Sequence, residues 1–222
     1  MIACHGIGKS YGHFQVLHDV NLTIAEGECF ALFGPNGSGK TTLLKVLATL
    51  ERPSTGHFEI LGMHGLKDKE AIRANLMFLA HGTHLYDELN ARENLAFALA
   101  LRGHHPTDRD VKRALDRVAI GAFADMKVRY YSAGMKKRLA LAKAMLAKPN
   151  VLLLDEPFTA LDSAGTEILR EYVRERLSGN GTVLLSTHDY DKTRPIASRA
   201  GILRQGALRE VSVEALESDD LV

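Results

Sequence analysis

Apolar and polar positions follow two rhythms along the chain, and the change of rhythm divides it. "VLHDVNLTIAEGECFALFG", Val16 to Gly34, carries β-branched and apolar residues bounded by polar turn formers. It predicts two strands around the turn Ala25-Glu26-Gly27. "KTTLLKVLATL" predicts a helix from Lys40, ended by Pro53 to Gly56. "NLMFLA", Asn75 to Ala80, has the length and composition of a short strand. From about Asn90 to Leu146 apolar residues fall at helical spacing, with "ARENLAFALALRG" and "DRDVKRALDRVAI" as the first two helices. "NVLLLDEP" and "GTVLLSTHD" then return to all-apolar runs, as strands buried on both faces of a parallel sheet require. The helix "AGTEILREYVRERL" separates them. Strand alternating with helix predicts an α/β fold with a helical insertion rather than a second domain. No repeat, low-complexity tract or linker interrupts it.

Composition narrows the function classes. The chain has 222 residues, 45% of them hydrophobic and 25% charged, as in ordinary globular domains. Its 28 Lys and Arg against 27 Asp and Glu leave a formal net charge of +1, which gives no general reason to expect nucleic acid. Cys4 and Cys29 match no metal spacing and read as reduced thiols. No apolar run approaches the roughly 18 residues of a membrane span, and "MIACHGIGKSYGHF" carries no apolar signal segment. A chain that is soluble alone is expected, with any membrane role exerted through a partner.

The chemistry concentrates in three places. "GPNGSGKT", Gly34 to Thr41, fits the phosphate-loop pattern at every fixed position, after the apolar run "CFALF" and before a helix. Its glycines let backbone N–H groups curl around phosphates, Lys40 adds a point charge, and the Thr41 hydroxyl suits Mg²⁺. Asp155 ends a buried strand and suits a Mg²⁺-holding carboxylate. Glu156 beside it is placed to orient or deprotonate an attacking water. "STHD" ends the next strand, so His188 is expected on the same sheet edge. Tyr11, in "KSYGHF", either stacks on an adenine ring or packs in the sheet. "YYSAGMKKR", Tyr130 to Arg138, opens a long helix. Ser132 is a good N-cap there, and the free N–H groups of a helix start favour an anion. Met135, Leu139, Ala142 and Leu146 form its expected buried stripe, and Lys136, Lys137 and Arg138 read as a solvated face.

In their order, "GPNGSGKTT", "YSAGM", "LLLDEP", "TALD" and "STHD" resemble the nucleotide-binding subunit of an ATP-binding-cassette (ABC) transporter, over nearly the whole chain. The resemblance implies one P-loop NTPase cassette over 1–222: a parallel α/β core, an antiparallel β-subdomain, and a helical subdomain inserted at about 83–147. It implies ATP and Mg²⁺ as ligands. Gly34, Pro35, Asn36, Gly37, Ser38, Gly39, Lys40, Thr41 and Thr42 would form the phosphate cradle, and Tyr11 would be the adenine-stacking aromatic. Asp155 would be the metal carboxylate, Glu156 the base, His188 the switch histidine, and Asp162 the acid that communicates across a dimer. Two such subunits pair head to tail, so Ser132, Ala133 and Gly134 of one would cover ATP held by the other. Further implied are a homodimer on the cytoplasmic face of the membrane, an integral membrane permease as partner, and no nucleic acid.

Two departures stand out. The family's usual signature "LSGGQ" is here "YSAGM", retaining Ser132 and Gly134. His81 stands where glutamine is common, contacting Mg²⁺ and water; imidazole can take that place, but protonation weakens it as a ligand. The segment "LAHG…DELNARENLAF", with "YSAG" and "DEPFTALD", resembles the ATPase of the cytochrome c maturation haem exporter. Exporters of drugs, lipids or polysaccharides are the broader alternative. A DNA-repair relative would carry a coiled coil between Lys40 and Asp155, a translation factor a second cassette, and a GTPase an Asn-Lys-x-Asp segment; none is present. A non-catalytic regulatory cassette is opposed by the retained Lys40, Asp155, Glu156 and His188.

Overall fold

In the computed structural model, residues 1–80 and 82–214 are described. The strands are β1 (Ile2–Tyr11), β2 (Phe14–Ile24), β3 (Cys29–Phe33), β4 (Thr55–Ile60), β5 (Met63–His64), β6 (Leu76–Leu79), β7 (Val151–Asp155), β8 (Thr182–Ser186), β9 (Arg199–Arg204) and β10 (Ala207–Val211). The α-helices are α1 (Lys40–Leu47), α2 (Lys69–Asn75), α3 (Ala91–Ala100), α4 (Asp108–Arg117), α5 (Ala133–Ala147), α6 (Ser163–Ser178) and α7 (Tyr190–Thr193).

A six-stranded sheet in the order β10-β9-β3-β8-β7-β6 forms the core, parallel except for the β9–β10 hairpin at its edge. Its central strands are buried on both faces, which is why they read as unbroken apolar runs. Successive residues feed opposite layers. Phe33, Leu154 and Leu185 pack with α5 and α6, whereas Leu32, Leu153 and Leu184 pack with α1 and the second sheet.

That second sheet, β2-β1-β4-β5, is antiparallel. The two strands expected around Ala25-Glu26-Gly27 are present, but they do not pair with each other: β2 pairs with β1, while β3 crosses into the core sheet between β8 and β9. The turn at Ala25-Glu26-Gly27 therefore joins two sheets. The chain beyond Pro53, expected only to end a helix, continues as β4, and Gly56 has φ 74° with its backbone against Gly6. Asn75 closes α2 rather than opening the next strand.

The helical middle is inserted between β6 and β7. Its helices are separately capped: Asn90 and Glu93 form a capping box on α3, and Thr107 and Asp110 another on α4. Ser132 caps α5, accepting from Met135 N at 3.2 Å. α5 is buried more widely than one stripe: Leu139, Ala140, Leu141, Ala142, Ala144 and Met145 are all covered, while Met135 and Leu146 are half-buried.

Candidate functional site

β3, β8 and β7 lie side by side, so the loops after their carboxyl ends converge on one edge. Gly34 to Gly39 follow β3. Gly39 precedes α1 with φ 108° and no side-chain cap, leaving the first-turn N–H groups free of a side-chain partner. Two of the glycines are required by space. A Cβ on Gly34 would lie 2.2 Å from Leu203 O, and one on Gly39 would lie 3.0 Å from Val16 O and 2.8 Å from Leu17 Cδ2. Asn36 through Thr42, with Val16, Asp155 and Glu156, line a cleft of about 170 Å³. Lys40 donates to Gly34 O at 2.5 Å and Pro35 O at 3.1 Å. Burial pushes its ammonium below the usual value, against the opposing pull of Glu156 and Asp155.

Asp155 is buried and held by two hydroxyls. Thr41 Oγ1 donates at 2.9 Å and Ser186 Oγ at 2.6 Å. Glu156 follows in a left-handed conformation, φ 47°, its N–H donating to Ser186 O at 3.1 Å and meeting Ser186 Oγ at 3.2 Å. A strained backbone at such a junction fixes where the side chain emerges. Glu156 Oε2 lies 2.9 Å from His188 Nδ1. Ser186 was not among the expected site residues. The sequence shows it only as a hydroxyl closing the apolar run "VLL", and the pairing of β8 with β7 is what brings it to Asp155.

Thr41 Oγ1 and the Asp155 carboxylate are adjacent hard oxygen donors, and Ser38 Oγ is buried with no hydrogen-bond partner. Both features fit a cation held against a phosphate chain. Among the described residues no cluster of three His, Cys, Asp or Glu could hold a metal, so any such ion would depend on hydroxyl, water or ligand oxygens as well. Cys4 and Cys29 are buried, each thiol pushed up to about 12 by burial, in agreement with inert reduced thiols.

The remaining expected residues lie elsewhere. Tyr11 ends β1, opposite Phe14, with Lys9 Nζ 4.7 Å from its ring centre; it is 46% exposed and outside the phosphate cleft. Ser132, Ala133 and Gly134 also lie outside that cleft. Gly134 packs on the backbone after Glu156, where a Cβ would stand 2.9 Å from Ala160 O. Asp162 caps α6. It accepts from Gly165 N at 2.8 Å and Arg138 Nη2 at 2.6 Å, and these two bonds hold its carboxyl below the usual range. His81 lies outside the described residues.

The basic triplet does not form a solvated face. Lys136 pairs with Asp87 at 2.8 Å, Arg138 with Asp162, and Lys137 Nζ is buried without a hydrogen-bond partner. Tertiary contacts with the loops after β6 and β7 override the surface reading of a Lys-Lys-Arg run.

Comparison with known proteins fits this geometry. A sulfate/thiosulfate import ATP-binding protein, CysA, of Brucella melitensis biotype 1 is 37% identical over 213 residues, covering 93% of this chain and 59% of the relative. The daunorubicin resistance ATP-binding protein DrrA3 of Streptomyces coeruleorubidus is 34% identical over 223 residues, covering 98% of this chain and 70% of the relative. The dimeric post-hydrolysis structure of the ATP-binding cassette MJ0796, bound to ADP and Pi, superposes with a TM-score of 0.86 at 27% identity, covering 97% of this chain and all of that one. The family described as ABC transporter matches residues 17–159, and on these grounds the chain belongs to the ABC transporter family as an ATP-binding cassette.

Proposed function

We propose that the chain is the ATP-binding subunit of an ABC transporter, hydrolysing ATP to drive a membrane partner. The observation that carries this is the Glu156 carboxylate, 2.9 Å from His188 Nδ1, immediately after the Asp155 that Thr41 of the phosphate loop contacts. Lys40 and the backbone N–H groups of Asn36 to Thr42 would bind the phosphates. Thr41 and Asp155 would hold Mg²⁺, which when bound neutralises charge on the phosphate oxygens. Glu156 takes a proton from water as the water oxygen attacks the γ-phosphorus. The bond to the bridging oxygen breaks, and ADP leaves with that electron pair. His188 holds the Glu156 carboxylate in place. Glu156→Gln should retain ATP binding and lose about 10²–10⁴-fold in turnover; near-normal turnover would remove Glu156 from the base role.

The nucleotide is proposed to be covered by a second copy. Ser132, Ala133 and Gly134 stand at a capped helix start outside their own chain's cleft, as a contribution to a neighbour's site requires. Asp162, bonded to Arg138 of α5, ties that helix start to the loop after Glu156. Tyr11 is proposed as the adenine platform, from its exposed ring. His81 is proposed as a ligand in place of glutamine, with His81→Gln expected to preserve ATPase activity.

Among the described residues no helix is long and apolar enough to cross a membrane, so peripheral attachment at the cytoplasmic face through a permease is proposed. For the cargo, the segments "LAHG" and "YSAG" favour haem export in cytochrome c maturation. The 34% identity with DrrA3, over a match covering 98% of this chain, favours a drug exporter as the second reading. Identifying the permease that co-purifies with the chain decides between them; a sulfate-translocating permease would overturn both.

A further inference from the structure

Histidines from three neighbouring strands of the second sheet stand in one row, away from the phosphate cleft. His5 of β1 lies directly opposite His57 of β4 in the antiparallel register, and their rings stack with centres 4.8 Å apart and planes 22° apart. His64 of β5 continues the row, its ring centre 6.0 Å from that of His57 and its plane within 8° of parallel. The alternation along β1 and β4 explains the placement. Cys4 and Phe58, the chain neighbours of His5 and His57, are buried in the core beneath the sheet, so both imidazoles take the opposite, exposed face. Glu59 shares that face, two residues from His57 and opposite His64. No hydrogen bond or ion pair engages the ring of His5 or His57 among the described residues. His64 differs. Its Nδ1 accepts from Leu66 N at 3.2 Å, which leaves the proton of the neutral ring on Nε2 and no lone pair to offer.

We propose that His5 and His57 form a two-histidine chelate for a borderline divalent cation, Zn²⁺ or Cu²⁺, bridging β1 to β4. Neutral imidazole suits such ions, and two rings held opposite each other on paired strands act as one bidentate ligand. The hard Mg²⁺ proposed for the phosphate cleft prefers oxygen donors, so the two sites take different classes of ion. Metal–nitrogen bonds of about 2.0–2.1 Å at a tetrahedral angle put the two nitrogens roughly 3.3 Å apart. The stacked rings reach this by tilting together at one edge. On exposed side chains free of hydrogen bonds, only the stacking contact opposes that tilt. Among the described residues no three His, Cys, Asp or Glu are grouped to hold a metal, so water fills the remaining positions. The Glu59 carboxylate adds favourable charge beside the pair.

The test uses the full chain without nucleotide. The probe is Cu²⁺ held by iminodiacetate, which occupies three coordination positions and leaves adjacent ones for imidazole. Spin-echo modulation from the remote imidazole nitrogens counts the bound rings on the unmodified chain, and two are expected. Calorimetric titration should show affinity falling about 10²-fold in His5→Asn and equally in His57→Asn, because each loses the second, locally held donor. His64→Asn should leave affinity nearly unchanged. Zn²⁺ alone should raise the melting temperature of the unmodified chain more than that of His5→Asn. A count of one ring, or equal affinity in the unmodified chain and His57→Asn, reduces the binding to that of isolated surface histidines and overturns the proposal. Loss confined to His64→Asn overturns it too. Melting curves without metal show which variants are folded, and the ring count needs no variant. The proposal stands apart from the transporter reading, since neither ring lines the phosphate cleft and ATP hydrolysis does not enter the test.

Discussion

Ser186→Ala isolates the contact that holds Asp155. The hydroxyl donates to Asp155 Oδ1 at 2.6 Å, and Ser186 is fully buried, so water has no route to replace it. Two bonds survive the change: Thr41 Oγ1 still reaches Asp155 at 2.9 Å, and Glu156 N still reaches Ser186 O at 3.1 Å. What is lost is one charge-assisted bond and the side-chain acceptor near Glu156 N. A hydrogen bond to a charged group is worth about 1.5–3 kcal/mol, and removing one oxygen atom leaves little cavity, so a loss of about 2 kcal/mol is expected. For a chain of this size that lowers Tm by about 4–8 °C. The assay is urea unfolding with a constant m-value, alongside ATP hydrolysis. Thr41→Ser, which keeps its hydroxyl, serves as the comparison and should change stability by less than about 0.5 kcal/mol. A loss below about 0.5 kcal/mol for Ser186→Ala would refute the claim that this hydroxyl anchors the acid.

Gly134→Val places a branched side chain where a Cβ already stands 2.9 Å from Ala160 O, and should cost about 1–3 kcal/mol with loss of ATP-driven dimerisation; unchanged melting would refute the close approach. Ser132→Arg should leave nucleotide binding by the single chain intact but block dimer closure, read by sedimentation with ATP. For Asp162 the folded carboxyl lies below its ordinary value of 3.8 because Gly165 N and Arg138 bond it. Its contribution is therefore present above that value and is lost as pH falls through the lowered one. Unfolding midpoints between pH 5 and about 2.5 should fall less steeply in Asp162→Asn than in the unmodified chain; identical slopes would contradict the assignment.

The sequence exposed the parts of the fold whose local signal matches their final burial. β3, β7 and β8 are buried on both faces and read as apolar runs, and the phosphate loop is contiguous, so its residues needed no tertiary information. β1 and β4 were hidden because Gly6, Gly8 and Gly56 break their patterns and register shifts interrupt their pairing. The crossing of β3 into a different sheet from β2 is a long-range choice that a turn of three residues does not encode. The same limit applies to the site. Asp155, Glu156 and His188 were legible as strand-end residues, but the left-handed turn at Glu156 and the hydroxyl of Ser186 emerge only when β7 and β8 pair. Lys137 shows the opposite failure: a basic triplet reads as solvated, yet the fold buries the Nζ of Lys137.

Sedimentation equilibrium of Glu156→Gln with and without MgATP, paired with hydrolysis by the unmodified chain across dilution, reports directly on whether two chains share each nucleotide. An ATP-dependent dimer is expected, with a turnover per chain that falls as the protein is diluted. A variant that stays monomeric with ATP, together with turnover independent of dilution, would contradict it.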